Sequence, residues 1–273
     1  MVKLNNLFQP LRIRGKEFKN RIFSTGHMAV MLDDGKPSQR LAAYHGAKAH
    51  GGAALTIIEA ARVHPTGDSG RPAIRAYDPE CVPGYKKLAS ECQPHGCLVF
   101  GQLTHPGREM ALASDGSRPV AYAPAAIPNE RFHVMPRAMP ISLINEIIKG
   151  FELSASHLRE AGLDGIELVA SHGYLLGQFL NPKINLRTDK YGGNFEGRLR
   201  FLKDAIEATR RGAGAEMVLG VRLSGEDKDY TENELDQMLE ICSALDSEPD
   251  LDYFNITVGT SAGLAGSTHI VPP

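Results

Sequence analysis

The 273-residue sequence predicts an α/β fold, a barrel of parallel strands alternating with helices. Three observations carry this. Short apolar runs rich in Val, Ile and Leu alternate with longer segments of helical period. Most of these runs lack polar alternation, which marks strands buried on both faces and hence a parallel sheet. An open doubly wound sheet that binds a dinucleotide would carry Gly-x-Gly-x-x-Gly after its first strand. That pattern is missing, as is any Walker-type loop. The third observation is that several runs end in polar or charged residues, as strands do at the catalytic mouth of a barrel.

Taken in order, the predicted strands are 21–24, 54–59, 98–103, 165–169, 217–223 and 253–257. Helix 38–50 follows the N-cap candidate Ser38 and stops before Gly51 and Gly52. Helix 79–95 precedes Gly96. Helix 143–161 has an apolar stripe at Ile144, Ile147, Ile148, Phe151 and Leu158, and stops at Gly162. Helix 195–211 ends at Gly212, so that Gly212-Ala213-Gly214 reads as a turn. Helix 231–246 opens on Thr-Glu-Asn-Glu, a candidate capping box. About six strands are two short of a complete TIM (β/α)8 barrel. The expectation is therefore one barrel domain over 1–273, truncated after about six strands and C-terminally incomplete. Two long insertions follow strands. The segment 106–140 is long enough to be a lid or binding loop, and 179–193 is polar and ends in Gly-Gly.

Composition excludes several classes. Lys plus Arg is 30 and Asp plus Glu is 32, which leaves no electrostatic footprint for nucleic acid or an anionic membrane. No apolar stretch approaches the roughly 18 residues of a membrane span. The first residues lack the pattern of a secretory signal. Cys81, Cys92, Cys97 and Cys242 form no Cys-x-x-Cys pair and read as structural thiols of a cytoplasmic protein. The expected partner is a small-molecule substrate, and a homo-oligomer stays open.

The residues that follow the strands would ring one mouth of the barrel. They are Thr25, Gly26, His27 and Met28 after the first, then Glu59 and Ala60, then Gln102 and His105, then His172 and Tyr174, then Arg222. A buried cation at a strand end needs something to neutralise. Arg222 therefore holds an anion, or a cofactor that becomes one, or else pairs with Glu226 or Asp227. Glu59 could pair with Arg62 or Arg222. His105 alone, before Pro106 and Gly107, reads as a turn histidine, and Gln102 alone could satisfy backbone groups. His172 and Tyr174, framed by Gly173 and Gly177, read as donors presented to a cavity. His27, His105, His172 and Glu59 are the candidate metal ligands. No helix carries histidines at i, i+3 or i, i+4, and no strand-end lysine suggests a metal-dependent hydrolase, so no metal is expected.

Several stretches carry a family resemblance. They are Leu7-Phe8-Gln9-Pro10 with Lys19-Asn20-Arg21-Ile22, and Gly101-Gln102-Leu103-Thr104-His105-Pro106-Gly107-Arg108. They continue with Asp164-Gly165-Ile166-Glu167, His172-Gly173-Tyr174-Leu175, Gln178-Phe179-Leu180-Asn181-Pro182 and Arg187-Thr188-Asp189-Lys190-Tyr191-Gly192-Gly193. Over essentially its whole length the chain resembles the old yellow enzyme family, also called NADH:flavin oxidoreductases. It looks closest to the branch with dienoyl-CoA reductase and trimethylamine dehydrogenase.

The resemblance implies an eight-stranded barrel with FMN at its C-terminal mouth, reduced by NADH or NADPH. Ser24, Thr25, Gly26, Ala60, Gln102 and Arg222 match the cofactor positions, with Arg222 beside the part of the flavin that becomes anionic. Tyr174 matches the proton donor of the ene-reductases. His172 matches one of two substrate-holding residues, Val169 stands at the other, where histidine or tyrosine is usual, and His27 is a further substrate-side candidate. Gly26 replaces a common proline, and Met28 excludes the cysteinyl flavin link of trimethylamine dehydrogenase. The family's phosphate-binding loops follow its seventh and eighth strands. Those loops, the 4Fe-4S cysteines and the second domain of larger relatives do not occur in this sequence. The implied activity is hydride transfer through flavin to an activated alkene (an enone, enoate or dienoyl compound). The alternatives are an amine dehydrogenase or N-demethylase and, of another class, a non-catalytic barrel fragment.

Overall fold

A computed structural model describes residues 6–68, 70–113, 115–117, 119–129, 132–226 and 235–258. Its centre is a curled parallel sheet. The barrel strands are β1 (Phe23–Ser24), β2 (Leu55–Arg62), β3 (Leu98–Thr104), β4 (Gly165–Ala170), β5 (Val218–Glu226) and β6 (Tyr253–Val258). They pair in sequence order, each parallel to the next, with a two-residue strand Ile74–Arg75 added beside the end of β2. The predicted run of about six strands is what forms. β1 and β6 are the two edges of the sheet among the described residues.

Helices cover the outside of the curl: α1 (Gln39–His50), α2 (Val82–Cys92), α3 (Ile141–Glu160), α4 (Leu175–Leu180), α5 (Phe195–Ala213) and α6 (Leu235–Asp246). Ser38 caps α1 by accepting from the Leu41 N–H, as its position predicts. Asn194 caps α5 in the same way through Gly197. None of the helices among the described residues is long and apolar enough to cross a membrane.

Strand register is fixed by one device used twice. Asp164, just before β4, bonds Val99 with both its backbone N–H and its carboxylate. Asp252, just before β6, does the same to Leu219 and also accepts from Arg14 and Arg210. Each aspartate satisfies an N–H at the start of the neighbouring strand and so sets which residues lie level across the sheet.

Four expectations need correction. Gly212 is not in a turn but inside α5, because a Cβ there would fall 2.1 Å from the Glu152 carbonyl oxygen on α3. Only a glycine lets these two helices approach so closely, and the turn begins at Gly214 with φ +73°. The predicted helix 79–95 is α2 flanked by single 3-10 turns, Pro79–Cys81 and Gln93–His95. β2 runs on past Glu59 to Arg62. Among the unforeseen elements are α4, a small antiparallel hairpin Leu32–Asp33 with Lys36–Pro37, and another, Leu11–Ile13 with Lys16–Phe18, that brings Phe18 onto Phe23 and Phe100 below the sheet. The capping box at 231–234 lies outside the described residues.

The insertion 106–140 is folded. Tyr122–Ala123 pairs with Arg137–Ala138, and Met110, Ala121 and Val134 form a small core of their own. Gln178 on α4 joins it to the next loop by donating to the Pro106 and Gly173 carbonyls and accepting from Arg108 N–H. Arg187 donates to the Pro124 and Met139 carbonyls and pairs with Asp189. The Arg-Thr-Asp-Lys-Tyr-Gly-Gly stretch is therefore scaffold that holds this segment over the barrel.

Candidate active site

Side chains alternate along a strand, so the register defines rings of residues facing the inside of the curl. One ring holds Ala60, level with Gln102, which is level with Glu167. Two residues further along lie Arg62, level with Thr104, and Val169, level with Arg222, which is level with Asn255. Of the predicted cofactor residues, Ala60, Gln102 and Arg222 thus meet at the C-terminal ends of the strands.

Glu167 organises the lower ring. It is fully buried, and its carboxylate accepts from Gln102 Nε2 at 2.7 Å, Tyr253 Oη at 3.0 Å and Asn255 Nδ2 at 2.9 Å. The bond to Glu167 orients the Gln102 amide, leaving its carbonyl end as the acceptor. Gly26 lies against that amide, and a Cβ on residue 26 would come within 2.8 Å of Gln102 Nε2. Arg222 donates to the Gly26 carbonyl at 3.1 Å and to Thr257 Oγ1 at 3.4 Å, while its Nε is buried without a hydrogen-bond partner. A carbonyl and a hydroxyl do not neutralise a guanidinium. Asp227 and the Glu226 side chain lie outside what is described.

Glu59 pairs with neither arginine. Its Oε2 accepts from the Ala29 and Val30 N–H groups at 2.6 and 3.0 Å and so pins the loop after β1. Burial raises its pKa, against the lowering effect of those two N–H groups. Ser24 accepts from Lys48, and Thr25 lines a cavity of about 340 Å³ below the ring. His27 is exposed and turns to Tyr44 on α1, at 2.7 Å.

His105 is a turn histidine. Its Nδ1 accepts from Gly107 N–H at 3.0 Å, which puts the proton on Nε2, facing Thr66 Oγ1 at 3.1 Å. Burial, then Arg62, lowers its pKa to about 3. His172 has a left-handed backbone, φ +58°, at the end of β4. Ser171 Oγ meets its Nδ1 at 2.6 Å, and its N–H donates to Ser224 Oγ at 3.2 Å. Burial and the nearby Arg222 lower its pKa to about 4, so the ring is neutral at pH 7. Tyr174, the residue before α4, stands beside it with ring centroids 6.3 Å apart. Val169 is buried and carries no donor. Among the described residues, no three His, Cys, Asp or Glu side chains cluster as metal ligands would.

A family model described as NADH:flavin oxidoreductase / NADH oxidase matches residues 6–252. The chain belongs to that family. It is 35% identical over 263 residues to an NADH oxidase of Thermoanaerobacter brockii, covering 95% of this chain and 40% of that protein. It is 34% identical to a multifunctional alkene reductase/demethylase of Caballeronia cordobensis, covering 93% of this chain and 37% of that protein. The solved 2-naphthoyl-CoA reductase in complex with 2-naphthoyl-CoA superposes with a TM-score of 0.87 at 28% identity, over 94% of this chain and 41% of that one. The chain thus spans about two fifths of the length of these relatives.

NADH:flavin oxidoreductases depend on FMN and draw on NADH or NADPH. The residues present fit the ring half of that cofactor. Arg222 offers a buried, unpartnered Nε, Gln102 offers an oriented amide, and the bare backbone of Gly26 leaves a flat surface between them. Sequence reasoning missed Glu167 as the residue that orients Gln102. The available signal was a carboxylate inside the apolar run Gly165–Ala170, where a charge survives only with partners.

Proposed function

We propose that this chain is the FMN-binding barrel domain of an oxidoreductase that passes hydride from NADH or NADPH to an activated alkene. The substrate class is an enone, enoate or dienoyl compound. FMN, when bound, supplies the hydride chemistry. Arg222 would stabilise negative charge on the ring and Gln102, held by Glu167, would bond its edge, while the Ser24–Gly26 backbone would flank it and Ala60 would leave room. The observation that carries the reading is the pairing of neutral His172 with Tyr174 above that floor. A neutral imidazole can donate to a substrate carbonyl, and the tyrosine hydroxyl can protonate the carbon that does not receive hydride.

A second reading is oxidation of an N-methyl amine. Val169 favours it, since a site with one carbonyl donor fewer suits a substrate that lacks a carbonyl, and the relative from Caballeronia cordobensis is named as a demethylase as well as an alkene reductase. The buried free thiols Cys81, Cys92 and Cys97 support a reducing, cytoplasmic setting.

The test is the visible spectrum of the purified chain after FMN loading and removal of the excess. A retained flavin band is expected, then bleaching by NADH or NADPH and reoxidation by cyclohex-2-enone. Tyr174→Phe should slow reoxidation by the enone by about 10²-fold or more while bleaching is kept. Bleaching by an N-methyl amine, with no response to the enone, would favour the second reading. A colourless protein would overturn both.

A further inference from the structure

One segment of the mouth is strained, and a buried carboxylate holds it. The chain leaving β1 runs through Thr25, Gly26, His27 and Met28 to Ala29 and Val30, and Val30 has φ +54°. For a β-branched residue the left-handed region is an outlier, because its Cβ crowds the following carbonyl. Burial does not compensate for that strain, since Val30 is 46% exposed and Met28 is 43% exposed. Glu59 supplies the compensation. Two successive N–H groups, those of Ala29 and Val30, donate to its Oε2 at 2.6 and 3.0 Å. Successive N–H groups that converge in this way form a concave anion site, and the group filling it here is the protein's own carboxylate.

The strand presents that carboxylate by a local irregularity. The ladder between β2 and β3 slips at Glu59: Ile57 is level with Phe100 and Ala60 with Gln102, so three steps on β2 answer two on β3. Such a bulge re-aims a side chain beside a site. Here it sets Ala60 into the ring with Gln102 and gives Glu59 to the loop. The rest of the segment is fastened on either side. Arg222 donates to the Gly26 carbonyl at 3.1 Å, and Ser38 Oγ donates to the Met31 carbonyl at 2.7 Å. Glu59 alone of these three grips the strained residue.

We infer that Glu59 is a positioning residue of the site: seated on the Ala29 and Val30 N–H groups, it holds Val30 left-handed and so sets the course of the Thr25–Gly26 backbone that would flank the flavin ring. This deepens the alkene-reductase reading and rests on it for the identity of the ring. Glu59 acts through residues 25–30 rather than by contact with the ring.

Amide hydrogen exchange in the purified, flavin-free chain reads the hold directly. The Ala29 and Val30 amides should exchange slowly in the unaltered chain. Glu59→Met fills the same buried space without an acceptor and should speed their exchange by about tenfold or more, with the β4 amides unchanged. Glu59→Gln keeps an acceptor oxygen and should retain part of the protection. Titration with FMN, followed by quenching of its fluorescence, reads the positioning. The Kd should rise by about tenfold in Glu59→Met, with a shifted visible band of the bound flavin, and recover in part in Glu59→Gln. Glycine takes a positive φ without strain, so in a Val30→Gly background the effect of Glu59→Met on Kd should shrink to about threefold or less. If circular dichroism shows that Glu59→Met does not fold, Val30→Pro breaks the same contact from the exposed end, since proline lacks the N–H and fixes φ at about −65°. The same rise in Ala29 exchange and in Kd is then expected. Unchanged exchange at Ala29, unchanged flavin affinity despite faster exchange, or an undiminished effect in the Val30→Gly background would overturn the inference. If the unaltered chain binds no FMN, the reductase reading falls, and the exchange rates alone decide whether Glu59 holds the segment.

Discussion

β4 and β1 belong to one sheet but live under different conditions. All six residues of β4 are buried and the strand is bonded on both sides. β1 is two residues long and pairs only with β2, and its Phe23 and the preceding Ile22 are 38% and 39% exposed. β6, at the other edge, leaves Ile256 52% exposed. The contrast divides the site. Gln102 and Arg222 stand on interior strands and are levelled by Glu167 and Asn255. Ser24, Thr25 and Gly26 hang from an edge. The charge-bearing half of the site is therefore built on strands bonded on both sides, and the flat backbone half on one bonded on a single side.

The largest test of that division is Glu167→Ala. It would strand the Gln102, Tyr253 and Asn255 donors in the interior, at a cost of about 3–5 kcal/mol in urea unfolding. Glu167→Gln, which keeps an acceptor, should cost about 1–2 kcal/mol. A loss under about 1 kcal/mol for the alanine variant would show that the interior ring needs no such centre.

Acid probes the same strands. His45, bonded to Thr56 on β2, and His105, after β3, both have pKa values lowered to about 3, mainly by burial, and His172, after β4, to about 4. Each is neutral in the fold. Above pH 6.5 they leave stability unchanged. As pH falls from about 6.5 towards 3–4 the unfolded chain takes up protons that the folded one refuses. Stability should then fall by up to about 1.4 kcal/mol per pH unit for each histidine. Chemical unfolding measured between pH 7 and 4 checks this, and His105→Gln should flatten the slope.

Gly212→Ala tests the helical layer behind the interior strands. Its methyl would meet the Glu152 carbonyl, and separating α3 from α5 should cost about 1–3 kcal/mol, read as a lower urea midpoint. The smallest effect is expected at the edge. Ile256→Lys should change unfolding by less than about 0.5 kcal/mol, yet reduce self-association seen by light scattering. A larger stability loss would mean that the edge is better supported than β1 and β6 suggest.

The interior strands were also the more legible ones. Long apolar runs without alternation located β2 to β6 within a few residues, because burial on both faces dictates composition. The hairpin at Leu11–Ile13 and Lys16–Phe18 escaped because three-residue strands are too short to show a period. α4 escaped because six residues after a Gly-Tyr step hold fewer than two turns. Among site residues, Gln102, His172, Tyr174 and Arg222 were legible as polar strand ends. Arg62 read as a partner for Glu59 only because β2 was ended three residues early. Glu167 was quoted in a motif, but its partners come from β3 and β6, which only the folded register brings together.

One further consequence concerns the segment 106–140. Gln178 and Arg187 grip it almost wholly through its main chain: Pro106, Pro124 and Met139 carbonyls and the Arg108 N–H. A latch that recognises backbone is indifferent to the side chains it holds. Within the segment, side chains outside the cores that hold Met110, Ala121, Val134 and Met139 can therefore vary, and so reshape the roof over the mouth, without loosening that grip.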